Sequence, residues 1–328
     1  MTFRDWWHLL ARYTSVVESK DSVRTALRIM AHRGFRHLPV VSDGKLFGVA
    51  AAGDLIDLFS SEKSFDLASK DPLTLPPSEI KQWGDWLNSS LENQVSTISN
   101  PHPVTITPDY TILDAIKVMG EKNIGSLLIL DDWKLIGPSE KAQTANPQGK
   151  LVGIVTLRDI VSILAAYAPF RIRVEECMTS RVSTVKEKDS IYSAMKLMSQ
   201  ERVRRLPVVT SVRNEKTGQS ILGMITNKMI LRYLESVISY NMLDVGSAIM
   251  QPVKTVMQSH MPLIDPKEDC GNAAYLMREI GTGGFAVVDS RGLIGVITER
   301  DLITRLFKKK GPLFFSNLFE KGTARMQA

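Results

Sequence analysis

Two stretches of this 328-residue chain join an apolar run to a threonine and an aspartate three residues apart: "GIVTLRD", ending at Asp159, and "GVITERD", ending at Asp301. A Thr placed just before a helix sets its hydroxyl among backbone N–H groups that lack intrahelical partners. That end of a helix carries roughly half a positive charge and draws phosphate. The aspartate, one turn in, offers two acceptor oxygens that suit the paired hydroxyls of a ribose. The same spacing is also close to a capping box, which stabilises a helix start by about 0.5–2 kcal/mol with no ligand. For Thr156 with Asp159 and for Thr298 with Asp301, the motif alone leaves both readings open.

The elements that must position these residues recur along the chain. A junction glycine, Gly48, Gly153, Gly223 or Gly295, closes an apolar run four times. Upstream lie "FRHLPVV", "GSLLIL", "RRLPVV" and "GGFAVV", and further upstream an Ala and a Met sit four apart: Ala26/Met30, Ala115/Met119, Ala194/Met198 and Ala273/Met277. The Met always precedes the Pro39, Leu128, Pro207 or Ala286 position by nine residues, whereas the interval from there to the glycine varies. Length variation confined to one connection marks a surface hairpin loop. Each unit therefore reads as strand, helix, strand, hairpin, strand, helix. In the second copy the spacing predicts a strand over Pro103 to Thr107 and a helix over Ile112 to Glu121. Units this small bury little alone, so the four are expected to pair through their sheets into two modules.

Four copies in register resemble a tandem protein of CBS domains, the modules named after cystathionine beta-synthase, over roughly Thr14 to Leu306. The resemblance implies an α+β fold of β-α-β-β-α repeats. Two repeats pair into a module with clefts between them, and two modules often form a flat disc, as in the gamma subunit of AMP-activated protein kinase. The boundaries expected are an N-terminal helix over 1–13, repeats at 14–60, 101–168, 169–237 and 238–308, a helix-bearing linker over 61–100 and a tail over 309–328. The family uses the Asp of the motif for ribose and the Ser/Thr for phosphate, usually of an adenine nucleotide.

The other copies of the motif are incomplete. The first repeat has Ala51 in place of the Thr but keeps Asp54; the third keeps Thr226 but has Met229 in place of the Asp. At most one complete site per pair is therefore expected, built around the second and fourth repeats. Basic residues fall in the complementary copies: Arg36 and His37 in the first, and Arg202, Arg204 and Arg205 in the third. The matching positions in the second and fourth repeats hold Gly125 and Ser126, and Gly283 and Gly284, which would let a ligand lie close while a partner repeat's cations reach its phosphates. The resemblance gives Arg36, His37, Arg204 and Arg205 a phosphate-binding role; a solvated rim is the alternative. Adenine is expected against first-strand residues such as Ile106 and Ile264, near Ala115 and Ala273, positions equally suited to plain packing.

Outside the repeats, Trp6, Leu9, Leu10 and Tyr13 share one face of a short helix that caps an exposed face or docks a partner. A proline break precedes a helix from Ser78 to about Leu91. The tail "KKKGPLFFSNLFEKG" joins a basic run to an aromatic one, and is expected to fold back more readily than to bind an anionic surface. Two cysteines, Cys177 and Cys270, supply no disulfide framework and point to a cytoplasmic protein; the five histidines show no metal-ligand spacing. No run approaches the roughly 20 apolar residues that span a bilayer, and the start lacks a signal-peptide layout. A net charge of +6 favours anionic partners.

No nucleophile–base constellation, metal cluster or phosphate-transfer motif is visible. The leading expectation is a regulatory protein without chemistry of its own, sensing AMP, ADP or ATP, with no cofactor. A regulated protein is its expected partner, and a homodimer a form to look for. An adenosyl thioether such as S-adenosylmethionine remains an alternative ligand. The rival functions are a nucleic-acid-binding protein that uses the basic surface, and a docking scaffold with empty clefts.

Overall fold

The computed structural model describes residues 15–61, 74–131, 150–210 and 220–326. The expected N-terminal helix over 1–13 lies outside them, as do the two longest hairpin loops.

The first repeat runs β1 (Val17–Glu18), α1 (Val23–Arg33), β2 (His37–Ser42), β3 (Lys45–Ala51) and α2 (Ala52–Phe59), and α3 (Pro77–Leu91) follows it. The second runs β4 (Thr105–Ile106), α4 (Ile112–Lys122), β5 (Ser126–Asp131), β6 (Lys150–Thr156) and α5 (Leu157–Leu164), with a short α6 (Val174–Cys177) after it. The third comprises β7 (Val185–Lys186), α7 (Ile191–Gln200), β8 (Arg205–Val209), β9 (Ile221–Thr226) and α8 (Asn227–Tyr240), followed by α9 (Val245–Ile249). The fourth comprises β10 (Leu263–Ile264), α10 (Cys270–Ile280), β11 (Gly284–Asp289), β12 (Gly292–Thr298), a π-helical turn over Asp301–Arg305, and α11 (Leu306–Met326). Each repeat thus builds one three-stranded sheet, its first strand parallel to the middle strand and its last strand antiparallel to it. The β-α-β-β-α reading holds in all four.

Local chemistry explains why the first helix of each repeat starts and stops where it does. Ser22, Thr111, Ser190 and Asp269 each accept a backbone N–H of the first turn through a side-chain oxygen. Four residues beyond the conserved-spacing Met, the chain turns into the left-handed region at Gly34, Asn123, Arg202 and Gly281, ending the helix. Three of those four residue types favour that conformation; Arg202 does not, and adopts it because the repeat geometry requires it. The Ala and Met landmarks are buried in every copy.

The chain divides into two compact units. One contains 102–182 with 262–328, the other 15–101 with 183–261. The second repeat therefore shares a unit with the fourth, and the first with the third. The expectation of one complete Thr/Asp motif per pair is corrected by this partition: Asp159 and Asp301 stand in the same unit, and the basic positions Arg36, His37, Arg204 and Arg205 share the other. Each unit has its own apolar core. That of repeats two and four includes Ile106, Ile116, Met119, Val155, Ala273 and Phe285; that of repeats one and three includes Met30, Leu55, Trp83, Met198 and Leu234.

The junction glycines have a packing reason. In three repeats an incoming strand segment forms a two-bond bridge with the residue after the glycine: Asn100 with Val49, Gln258 with Met224, and Thr179 with Val296. A Cβ on Gly48 would stand 2.5 Å from the Asn100 carbonyl oxygen, and one on Gly223 would stand 2.0 Å from that of Gln258. Only glycine admits a backbone this close.

The helix expected from Ser78 is α3, and it packs on α9. The tail folds back: Phe315 is fully buried, Phe170 meets Phe314 edge-on, and Tyr167 meets Phe319 at 5.1 Å, after a break at Gly311 and Pro312.

Candidate functional site: the helix-start turns

The register of every sheet sets one position opposite the helix cap. His37 pairs with Ala51, Ser126 with Thr156, Arg205 with Thr226, and Gly284 with Thr298. The carbonyl of the preceding residue, Arg36, Gly125, Arg204 or Gly283, accepts the first helical N–H in each case. One N–H of each helix start is thereby committed to the protein's own backbone, and the Met229 and Asp301 N–H groups are committed as well, to the hydroxyls of Thr226 and Thr298 at 3.3 and 3.4 Å.

In the unit of repeats two and four, both motifs form the turn expected of a cap. Thr156 donates its N–H and its hydroxyl to Asp159 Oδ2, each at 2.7 Å. Among the described residues Oδ1 of Asp159 makes no hydrogen bond. Burial pushes this carboxyl above the ordinary range, opposed by the Thr156 donors and reinforced by nearby Glu299. At Asp301, Oδ2 takes the Thr298 N–H at 2.8 Å and its hydroxyl at 2.6 Å. Oδ1 takes the Thr179 hydroxyl at 3.0 Å and the Arg305 guanidinium at 3.0 Å. Asp301 is buried, and burial raises its carboxyl against the pull of these donors.

The two turns are tied together. Arg158, beside Asp159, donates to Glu299, beside Thr298, at 2.8 Å. The Glu299 side chain is only 4% exposed. Arg300 reaches back to Asn123 at the end of α4, donating to its carbonyl at 2.8 Å and its side-chain oxygen at 2.9 Å. Ile106 and Ile264, expected against adenine, are buried in the unit's core, as are Ala115 and Ala273.

In the unit of repeats one and three, each motif makes half of the turn. Ala51 has no hydroxyl, so Asp54 receives only the Ala51 N–H, at 2.6 Å to Oδ2. Thr226 caps α8 by accepting the Met229 N–H at 3.3 Å, and the carboxylate is missing. Asp54 lines an open cleft of about 560 Å³ together with Asp57, Ser60, Ile98, Lys196, Ser199 and others. Burial raises the Asp54 carboxyl to about 6, reinforced by Asp57 and opposed by the Ala51 N–H and Arg202. Arg202 itself lies 3.6 Å from Asp57. Arg36 and His37 stand at the start of β2, and Arg204 and Arg205 at the start of β8.

Sequence reasoning did not single out Arg158, Thr179, Lys196, Glu299 or Arg305. Arg305 alone left a local signal, a cation four residues after the acid of the fourth motif. Arg158 with Glu299, and Thr179 with Asp301, meet across large sequence separations. Among the described residues, no cluster of three or more His, Cys, Asp or Glu side chains could hold a metal ion, and no helix is long and apolar enough to cross a membrane.

Comparison with known proteins agrees with this architecture. A protein of Thermofilum pendens, known as an uncharacterized 33.4 kDa protein in the ribosomal RNA operon, is 28% identical over 305 residues, covering 92% of this chain and 90% of that one. The crystal structure of MJ1225 from Methanocaldococcus jannaschii, described as a proposed archaeal homolog of g-AMPK, superposes with a TM-score of 0.73. It is 20% identical, and the match covers 92% of this chain and 99% of that one. Inosine-5'-monophosphate dehydrogenase of the same organism is 31% identical over 129 residues, which are 39% of this chain and 21% of that enzyme. The family profile of the CBS domain matches residues 13–61, 95–137, 174–236 and 253–308. Matched over more than half its length and folded into four β-α-β-β-α repeats, this chain belongs to the CBS domain family.

Proposed function

We propose that the chain is a non-catalytic regulatory protein that binds an adenine nucleotide, AMP, ADP or ATP, and passes that occupancy to a partner protein. The observation that carries this reading is a carboxylate fixed at a helix start, among the described residues, through one oxygen only. Asp159 is held through Oδ2 by Thr156, and Asp54 through Oδ2 by Ala51. In each, Oδ1 remains to accept a ribose hydroxyl, and a preset carboxylate loses little freedom on binding. Thr156 and Thr298 supply hydroxyls beside free N–H groups for phosphate. In the other unit Arg36, His37, Arg204 and Arg205, with Thr226, serve the phosphates, and the cleft of about 560 Å³ beside Asp54 is of a size that holds a small ligand. Ile106 and Ile264 back the apolar wall on the adenine side.

A nucleotide held between two repeats of a unit favours one arrangement of the pair, a coupling usually worth about 1–3 kcal/mol. Titration calorimetry of the full chain with AMP, ADP, ATP and S-adenosylmethionine tests the reading. The expected result is uptake of an adenine nucleotide, abolished in the double variant Asp54→Ala with Asp159→Ala while the circular dichroism spectrum is unchanged. Undiminished affinity in that variant refutes the role given to the carboxylates.

A further inference from the structure

The four repeats do not present equivalent carboxylates. Asp301 receives four donors, which match the roughly four lone-pair sites of an ionised carboxylate. Two come from Thr298 in its own turn, as Thr156 supplies them to Asp159. Among the described residues, the other two, Thr179 and Arg305, have no counterpart at Asp159 or Asp54. At the position four residues after the acid, where the fourth repeat has Arg305, the other repeats carry Leu58, Ile163 and Tyr233, none of them a cation.

The segment that brings Thr179 is firmly held. Thr179 exchanges both backbone hydrogen bonds with Val296, at 2.8 and 2.9 Å, and Arg305 also donates to the Met178 carbonyl at 3.1 Å. The bridging segment is shared with the first and third repeats; the hydroxyl and the guanidinium on Asp301 are what the fourth adds. A ribose diol would need the Oδ1 lone pairs that Thr179 and Arg305 already hold.

We propose that Thr179 and Arg305 determine which repeat accepts a nucleoside: acting as a built-in ligand of Asp301, they make the unit of repeats two and four take it at Asp159 and refuse it at Asp301. This rests on the ribose reading given above for Asp159. Release of the two donors would create a second site in that unit.

The test is the number of AMP molecules bound per full-length chain, by titration calorimetry. Asp159→Asn is expected to lower that number by one and Asp301→Asn to leave it unchanged. Thr179→Val with Arg305→Gln is expected to raise it by one, and adding Asp301→Asn to that pair removes the gain. Thr179→Ser, which keeps the hydroxyl, leaves the wild-type number. The proposal is overturned if Asp301→Asn lowers the number, if Asp159→Asn does not, or if the released double variant binds no more AMP than wild type. Should the double variant fail to fold, Arg305→Gln alone, at a half-exposed side chain, is read by the same criterion. A wild-type chain that binds none of AMP, ADP and ATP refutes the proposed function instead. The latch is then judged on the released variant alone: one AMP taken up sustains it, and none overturns it.

Discussion

Asp54 offers a quantitative check on the geometry of the first repeat. Its carboxyl sits at about 6 against an ordinary value of 3.8, chiefly because burial disfavours the charge. Stability changes with pH in proportion to the difference in bound protons between the unfolded and folded states. Between about pH 4 and 6 the folded chain holds the Asp54 proton and the unfolded chain has released it. The resulting stabilisation is complete below about pH 4 and is lost as pH rises through 6. Two pKa units correspond to about 3 kcal/mol, so above pH 7 the folded state carries a charge-burial penalty of up to that size. Asp54→Asn removes the charge and can still accept the Ala51 N–H, although it gives up the attraction of Arg202. The variant is expected to be more stable than wild type by about 1–3 kcal/mol at pH 8, and by less than about 1 kcal/mol at pH 4.5. Urea unfolding followed by the fluorescence of Trp83 and Trp86, both on α3 in the same unit, measures the difference. Carbon NMR of the carboxyl gives its midpoint directly. A midpoint below pH 5, or a variant less stable than wild type at pH 8, refutes the reasoning.

Three further perturbations probe the frame around the sites. Gly223→Ala would drive a methyl group into the Gln258 carbonyl and break the two-bond bridge to Met224, costing about 2–4 kcal/mol of stability in chemical denaturation. Arg158→Ala removes a partner of buried Glu299 and should destabilise the unit of repeats two and four by about 1–3 kcal/mol, the half-exposed Arg158 limiting the effect. Asp269→Ala deletes an acceptor shared by the N–H groups of Phe170, Ile172 and Gly271, with an expected loss of about 2–4 kcal/mol and faster hydrogen exchange at those three amides.

The chain's local order was written in its residues. The Ala/Met spacing, the caps at Ser22, Thr111 and Ser190, the turn residues Gly34, Asn123 and Gly281, and the apolar runs before each junction glycine define all four β-α-β-β-α repeats. Each signal acts within a few residues, so a periodic pattern suffices to reveal it. The Thr156–Asp159 and Thr298–Asp301 turns were legible for the same reason.

Which repeats share a core was not legible. Sibling repeats present similar apolar faces, and the choice of partner rests on contacts such as Arg158 with Glu299, which lie far apart along the chain. The crossing segments that explain Gly48 and Gly223 come from outside their own repeats, and so does the Thr179 hydroxyl that reaches Asp301. Spacing established that four helix-start turns recur, that one lacks its hydroxyl and that one lacks its acid. Only the packed chain determined how many donors each remaining carboxylate meets, because a carboxylate's free lone pairs depend on every residue that folding brings within hydrogen-bond reach, whatever its place in the sequence.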